Sequence, residues 1–119
     1  MTFDLEAMKL AVIDAIEDIK GFDITVMDVR KLTSMTNYMI VASATSSRQA
    51  KAVADNVREK LKEKGFAIRG TEGEKEGEWV LVDLDDIVVH IMVPTTRAYY
   101  NLEQLWCEAE SRRGHIKPV

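Results

Sequence analysis

A predicted β-hairpin constrains the fold more than any other part of the sequence. Two runs of alternating residues, Glu78–Leu84 and Ile87–Val93, flank the dipeptide Asp85-Asp86, which is the pattern of two strands joined by a two-residue turn. Such a turn places Leu84 opposite Ile87 and thereby sets the register of both strands. One face is then wholly apolar and is predicted to be core, with Val80, Val82, Leu84, Ile87, Val89, Ile91 and Val93.

The other face of this hairpin is mixed in character. The same register puts His90 across from Leu81 and diagonal to both Trp79 and Asp83, and the face is completed by Val88 and Met92. An acid and a histidine are costly in a dry core unless they are paired. We therefore predict that Trp79 is an interface anchor on this face rather than a core residue.

The rest of the chain supplies helices and further strands around the hairpin. Apolar periodicity predicts helices over residues 4–20, 45–64 and 95–112 and strands over 23–29, 37–43 and 66–71. Ser46 and Gln49 form a capping box for the second helix, and Trp106 is predicted to be core. The order α-β-β-α-β-β-β-α predicts a single α/β (α+β) domain over residues 1–113, with a mixed central sheet of about five strands. Residues 114–119 are predicted to be a flexible tail.

Composition and charge narrow the function. The chain has 119 residues with a net charge of −4, which argues against broad binding to nucleic-acid phosphates. Residues 71–90 carry seven acids and one lysine, whereas residues 23–69 have a basic excess. This acidic segment would steer a basic protein partner, although a solvated acidic loop stays open as the alternative.

Cys107 is a single cysteine, and the start of the sequence lacks a signal- or transit-peptide pattern, so we expect a reducing, cytoplasmic location without membrane binding.

The sequence does not predict an enzyme site. Asp83 and Asp85 alternate on a strand and could hold Mg²⁺, and the helix start at Thr45–Arg48 could hold phosphate, which together suggest a metal-dependent nucleotidyltransferase. Such enzymes carry their Asp-x-Asp pair on the strand that follows the helix, and the strand from Phe66 contains no acid there. His90 and Cys107 have no supporting motif either. We expect no catalytic residue, cofactor or metal.

The sequence resembles the ribosomal silencing factor family (RsfS, also called Iojap or YbeB) over nearly its whole length. The matching segments are Asp23-Ile24, Met27-Asp28-Val29, Thr36–Val41, Thr45–Gln49, Ala54-Asp55, Glu72-Gly73, Trp79–Asp83, Val88–His90, Arg97, Tyr100, Leu102-Glu103 and Leu105-Trp106. Two residues depart from the family pattern, because Ala44 and Asp85 stand where glycine is usual.

The resemblance implies a fold and a function. It implies a nucleotidyltransferase-like fold without the catalytic acids, and a translational repressor that binds the large ribosomal subunit through ribosomal protein fourteen. The bound factor would block joining of the small subunit when nutrients are limiting. An assembly factor for the large subunit is the alternative, and a homodimer of the free protein is left open. Together with the hairpin register it suggests that the ribosomal protein is bound by Trp79, Leu81, Asp83, His90, Met92 and Glu72.

Overall fold

A five-stranded mixed sheet organises the protein, and its strand order is β1-β2-β5-β4-β3. The computed structural model describes residues 5–31 and 36–102. Along the chain the elements are α1 (Leu5–Asp18), β1 (Phe22–Asp28), β2 (Tyr38–Ser43), α2 (Ser47–Glu63), β3 (Gly70–Glu72), β4 (Trp79–Asp83), β5 (Ile87–Met92) and α3 (Pro94–Tyr100). The predicted fold class, element order and strand number are therefore confirmed.

The β4–β5 hairpin has the predicted register. Leu81 pairs with His90 and Asp83 with Val88 in antiparallel fashion, as a two-residue turn at Asp85-Asp86 requires. β5 in turn pairs with β2 in parallel. Every residue of β2 is buried, which accounts for its nearly continuous apolar sequence, because a central strand covered on both faces has no solvent side.

One face of the sheet is covered by α1 and α2. The apolar stripe of α2, which includes Ala50, Val53, Val57 and Leu61, packs with α1 against the hairpin's apolar face. Ser46 caps α2 by accepting a hydrogen bond from the backbone N–H of Gln49 at 3.1 Å. The side-chain oxygen of Gln49 accepts from the backbone N–H of Thr45 rather than from that of Ser46. The predicted capping box is thus present, with its return bond shifted by one residue.

Two predicted elements differ in the structure from the sequence pattern. The third strand covers only Gly70–Glu72, at the edge of the sheet. The predicted last helix over residues 95–112 is interrupted at Asn101, which takes a left-handed conformation (φ 47°) and ends α3; its part beyond residue 102 lies outside the described residues. Asparagine tolerates this conformation better than most residues do. The predicted core position of Trp106 and the predicted tail at residues 114–119 lie outside the described residues.

Gly73 allows the acidic loop to lie close against the start of β4. Gly73 has φ +83°, and a Cβ built on it would lie 2.0 Å from the backbone oxygen of Trp79. Gly65, at the end of α2, has a similar φ of +90°, but a Cβ there would meet no atom within 4 Å. The two positions therefore share a backbone requirement and differ in the space around them.

This pair yields a matched stability test. Gly65→Ala should lower the free energy of unfolding by about 1–2 kcal/mol, the cost of a left-handed alanine. Gly73→Ala should cost roughly 3 kcal/mol or more, because the new methyl group also collides with β4. Urea unfolding of the two variants beside the wild type measures both losses. Equal losses would contradict the close approach of the loop to Trp79.

Candidate functional site

The sheet face turned away from α1 and α2, here called the distal face, carries all six residues predicted to bind a partner. Side chains that pair directly across strands point to the same side of a sheet. One row crosses all five strands through Thr25, Val41, His90, Leu81 and Glu72. The neighbouring rows place Asp83 beside Val88, and Trp79 beside Met92. The structure therefore brings the predicted residues together on one surface.

A hydrogen bond joins two of these residues. The indole N–H of Trp79 donates to Nδ1 of His90 at 2.9 Å. His90 is 5% exposed, and because an indole can only donate, Nδ1 must be the unprotonated nitrogen and Nε2 must carry the proton. Within the described residues, the buried Nε2 has no hydrogen-bond partner. Burial lowers the pKa of His90 to about 4, so the ring is neutral near pH 7.

Four rings contact one another in series, from the buried His90 to the surface. The ring of Trp79 lies 5.8 Å from that of His90 and 4.7 Å from that of Tyr100, and Tyr99 packs edge-on against Tyr100 at 5.0 Å. Exposure is 51% for Tyr100 and 81% for Tyr99. We call His90, Trp79, Tyr100 and Tyr99 the ring series. The two tyrosines at the exposed end of this series were not predicted as site residues, although two consecutive tyrosines in the sequence could have indicated a binding surface.

Arg97 anchors α3, the helix that carries the two tyrosines. Its guanidinium donates to the backbone oxygen of Asp23 at 2.6 Å, to Oγ of Ser43 at 2.8 Å and to Oγ1 of Thr25 at 3.1 Å. These acceptors belong to β1 and β2, so α3 is tied to the edge of the sheet opposite β3. The backbone N–H of Asn101 bonds to the oxygen of Arg97 at 2.8 Å, which closes the helix directly behind Tyr100.

Six of the seven carboxylates of the acidic segment fall into two groups, and the seventh, that of Asp83, accepts a hydrogen bond from the backbone N–H of Asp85. In the first group, Asp85 forms an ion pair with Arg69 at 2.7 Å, Glu74 pairs with Arg58 at 3.0 Å, and Asp86 accepts from the side chain of Asn37 at 2.8 Å. The second group belongs to three exposed residues, Glu72, Glu76 and Glu78. The negative potential available to a partner is therefore concentrated next to Trp79 rather than spread over residues 71–90.

Burial separates the six predicted site residues. Glu72 is exposed, and Trp79, Leu81 and Asp83 are half-buried, so these four can contact a partner. Met92 is fully buried and packs in a small cluster with Val29, Met39 and Val41, against which Met27, Trp79 and Leu102 lie. That cluster covers the row of the sheet that carries Met92, and a contact role for this residue stays a prediction. His90 is also buried and can act only through Trp79.

The two candidate metal ligands have other partners. The Oδ1 atom of Asp83 accepts a hydrogen bond from the backbone N–H of Asp85 at 2.9 Å, while the Asp85 carboxylate pairs with Arg69. Asp85 itself occupies the left-handed region with φ 74°, which accounts for the usual glycine at this turn. Across residues 5–31 and 36–102, no cluster of three potential metal ligands occurs.

No helix in this part of the chain has the length and apolar character needed to span a membrane.

Comparison with known proteins places the chain in a family. The family model described as "Ribosomal silencing factor during starvation" matches residues 2–118. The chain belongs to the ribosomal silencing factor family. The resemblance drawn from the sequence segments is thereby confirmed. The distal face described above therefore belongs to a member of this family.

Individual relatives agree with this assignment. A ribosomal silencing factor of Chromobacterium violaceum is 56% identical over 101 residues, which are 85% of this chain and 82% of the relative. A crystal structure of a Chromobacterium violaceum protein superposes with a TM-score of 0.85 at 48% identity, covering 98% of this chain and 92% of the other. A mouse protein named for mitochondrial assembly of the ribosomal large subunit is 33% identical over 87 residues, 71% of this chain and 38% of its own length.

The buried histidine makes stability depend on pH. The unfolded chain takes up a proton on His90 near its ordinary pKa of 6.5, whereas the folded protein does so only near a pKa of about 4. Protonation of His90 therefore leaves the free energy of unfolding unchanged above pH 6.5 and lowers it as the pH falls toward 4, by about 3 kcal/mol in total. Urea unfolding at several pH values should show a shallower decline for His90→Leu than for the wild type. Parallel curves would show that His90 is not buried as described.

Proposed function

We propose that this protein represses translation by binding the large ribosomal subunit through ribosomal protein fourteen and by blocking the small subunit. The observation that carries the proposal is the pairing, on one surface, of a partly exposed aromatic group with exposed carboxylates. The rings of Trp79, Tyr100 and Tyr99 contact one another in series. Glu72 lies on β3, and Glu78 lies just before β4. A surface of this composition suits a basic protein partner.

The two components of this surface act differently on such a partner. Exposed carboxylates raise the rate of encounter with a positively charged surface and orient it. Aromatic rings then supply contact area, and their faces attract lysine and arginine side chains. Ribosomal proteins are generally basic because they lie against RNA. Membership in the silencing family and a surface of this chemistry therefore support the same partner.

Inhibition of subunit joining needs no chemistry in this proposal. A folded protein of 13.5 kDa that is bound to the joining face of the large subunit occupies space that the small subunit must enter. Asp83 and Asp85 are engaged in turn and ion-pair contacts, which supports a binding protein rather than a metal-dependent enzyme. The site of action is the cytoplasm, where joining takes place in bacteria.

Assembly of the large subunit is a second candidate function. It is favoured by the relative in mouse whose name refers to assembly of the mitochondrial large subunit. The two functions differ in what accumulates when the protein is absent. Sucrose gradients of cells without it should show precursor particles if it acts in assembly, and a shift from free to joined mature subunits if it acts in silencing.

Co-sedimentation tests the main proposal directly. Purified protein should sediment with isolated large subunits and should be lost from them when small subunits are supplied in excess, because both occupy one face. In the reverse order, prior binding of the protein should reduce the yield of joined ribosomes. Recovery of the protein at stoichiometric level on intact joined ribosomes would contradict steric exclusion.

Truncation of Trp79 tests whether the distal face is the surface that binds the large subunit. Trp79→Ala should weaken binding to large subunits by about 2–4 kcal/mol, roughly 30- to 1000-fold, which is the range for an interface hot spot. It should also lower the melting temperature, because Trp79 packs against the Met92 cluster. Leu10→Ala is the matched control, since Leu10 is 60% exposed on α1, behind the opposite sheet face, and should bind normally. Normal binding by Trp79→Ala would remove the distal face from the proposal.

A further inference from the structure

The hydrogen bond between Trp79 and His90 is an unusual use of a buried histidine. His90 lies on a central strand, and its direct neighbours in the sheet are Val41 and Leu81, both apolar. Its Nδ1 accepts from the indole of Trp79, which leaves the protonated Nε2 buried without a partner among the described residues. A buried donor without an acceptor destabilises a fold. A leucine here would avoid that loss and would give up only the bond to Trp79, so that bond is what the histidine adds.

The bond does restrict the orientation of Trp79. The side chain of tryptophan turns about two bonds, and its indole is here held at the N–H edge by His90 and packed against the ring of Tyr100 at 4.7 Å. Tyr99 and Tyr100 reach further into solvent. Without the hydrogen bond the indole would gain rotational freedom, and ordering it again on binding costs free energy. The buried ring of His90 thus affects, through the indole, how the exposed tyrosine rings are held.

We propose that His90 is a positioning residue, which holds the Trp79 indole and through it the exposed tyrosines in the orientation that binds the partner. This role rests on the proposed function, because it assumes that Trp79 lies in the contact surface. His90 is too buried to touch the partner itself. Its contribution to binding is therefore indirect and depends wholly on the presence of an indole N–H at position 79.

Two substitutions at position 90 separate positioning from structural support. His90→Leu removes the acceptor and also the buried unpartnered N–H. His90→Asn retains an acceptor, since Oδ1 of asparagine takes the place of Nδ1. At pH 7.5, His90→Leu should melt at or above the wild-type temperature yet bind large subunits about 2- to 10-fold more weakly, the effect of one side chain that has to be ordered on binding. His90→Asn should retain most of the wild-type affinity.

The orientation of Trp79 can be measured in the free protein. In ¹⁵N-labelled protein, a scalar coupling across the N–H···N bond should join Trp79 Nε1 and His90 Nδ1, with Trp79→Phe identifying which of the two indole signals belongs to Trp79. The coupling should vanish in His90→Leu, and the indole proton should exchange faster with solvent. In a Trp79→Phe background, His90→Leu should change binding no further, because no indole remains to be held.

The outcomes distinguish this inference from the function on which it rests. Wild-type affinity in His90→Leu despite the lost coupling, or a binding loss that persists in the Trp79→Phe background, would overturn it. A melting temperature that falls in proportion to the affinity would assign His90 a structural role only. If instead Trp79→Ala binds normally, the proposed contact surface fails, while the coupling still reports whether His90 holds the indole.

Discussion

The parallel pairing of β2 with β5 is the constraint on which the rest of the structure depends. Parallel neighbours need a long connection between them, and here that connection contains α2, β3 and β4. α2 covers one face of the pair, while β4 returns as the hairpin partner of β5. Both central strands are almost wholly buried, so the opposite face also requires cover. Among the described residues, the cluster around Met92 lies on that face, and Arg97 ties α3 to its edge.

Within residues 5–31 and 36–102 this second cover is thin, which leaves part of the distal face open. The helical face is closed by two helices of 14 and 17 residues, whereas α3 has seven residues, none of them buried. Apolar side chains on the distal face, such as Met39 and Met92, are still buried. Around their edge Trp79 and Leu81 keep part of their surface in solvent. A face that is apolar at its centre and partly open at its rim is suited to protein binding.

Local rules predict part of this fold from the sequence and leave the rest open. The hairpin register follows from a two-residue turn, and the register alone puts His90 diagonal to Trp79. It does not show that the two side chains bond, because that depends on their rotamers. The end of α3 is not predicted, because the apolar periodicity continues past Asn101, where the backbone changes conformation. The burial of Met92 is not predicted either, because alternation along β5 does not show which tertiary elements cover each face.

The attachment of α3 has a consequence for the dynamics of the protein. The helix begins at Pro94 without a side-chain cap and is joined to β1 and β2 through the hydrogen bonds of Arg97. Segments that bury little and depend on partly exposed polar contacts open more readily than the core does. Brief opening of α3 would break the contact between the rings of Tyr100 and Trp79 while leaving the helical layer intact. The helix that presents the tyrosines thus opens more readily than the core, and a ligand bound across it would slow its amide exchange.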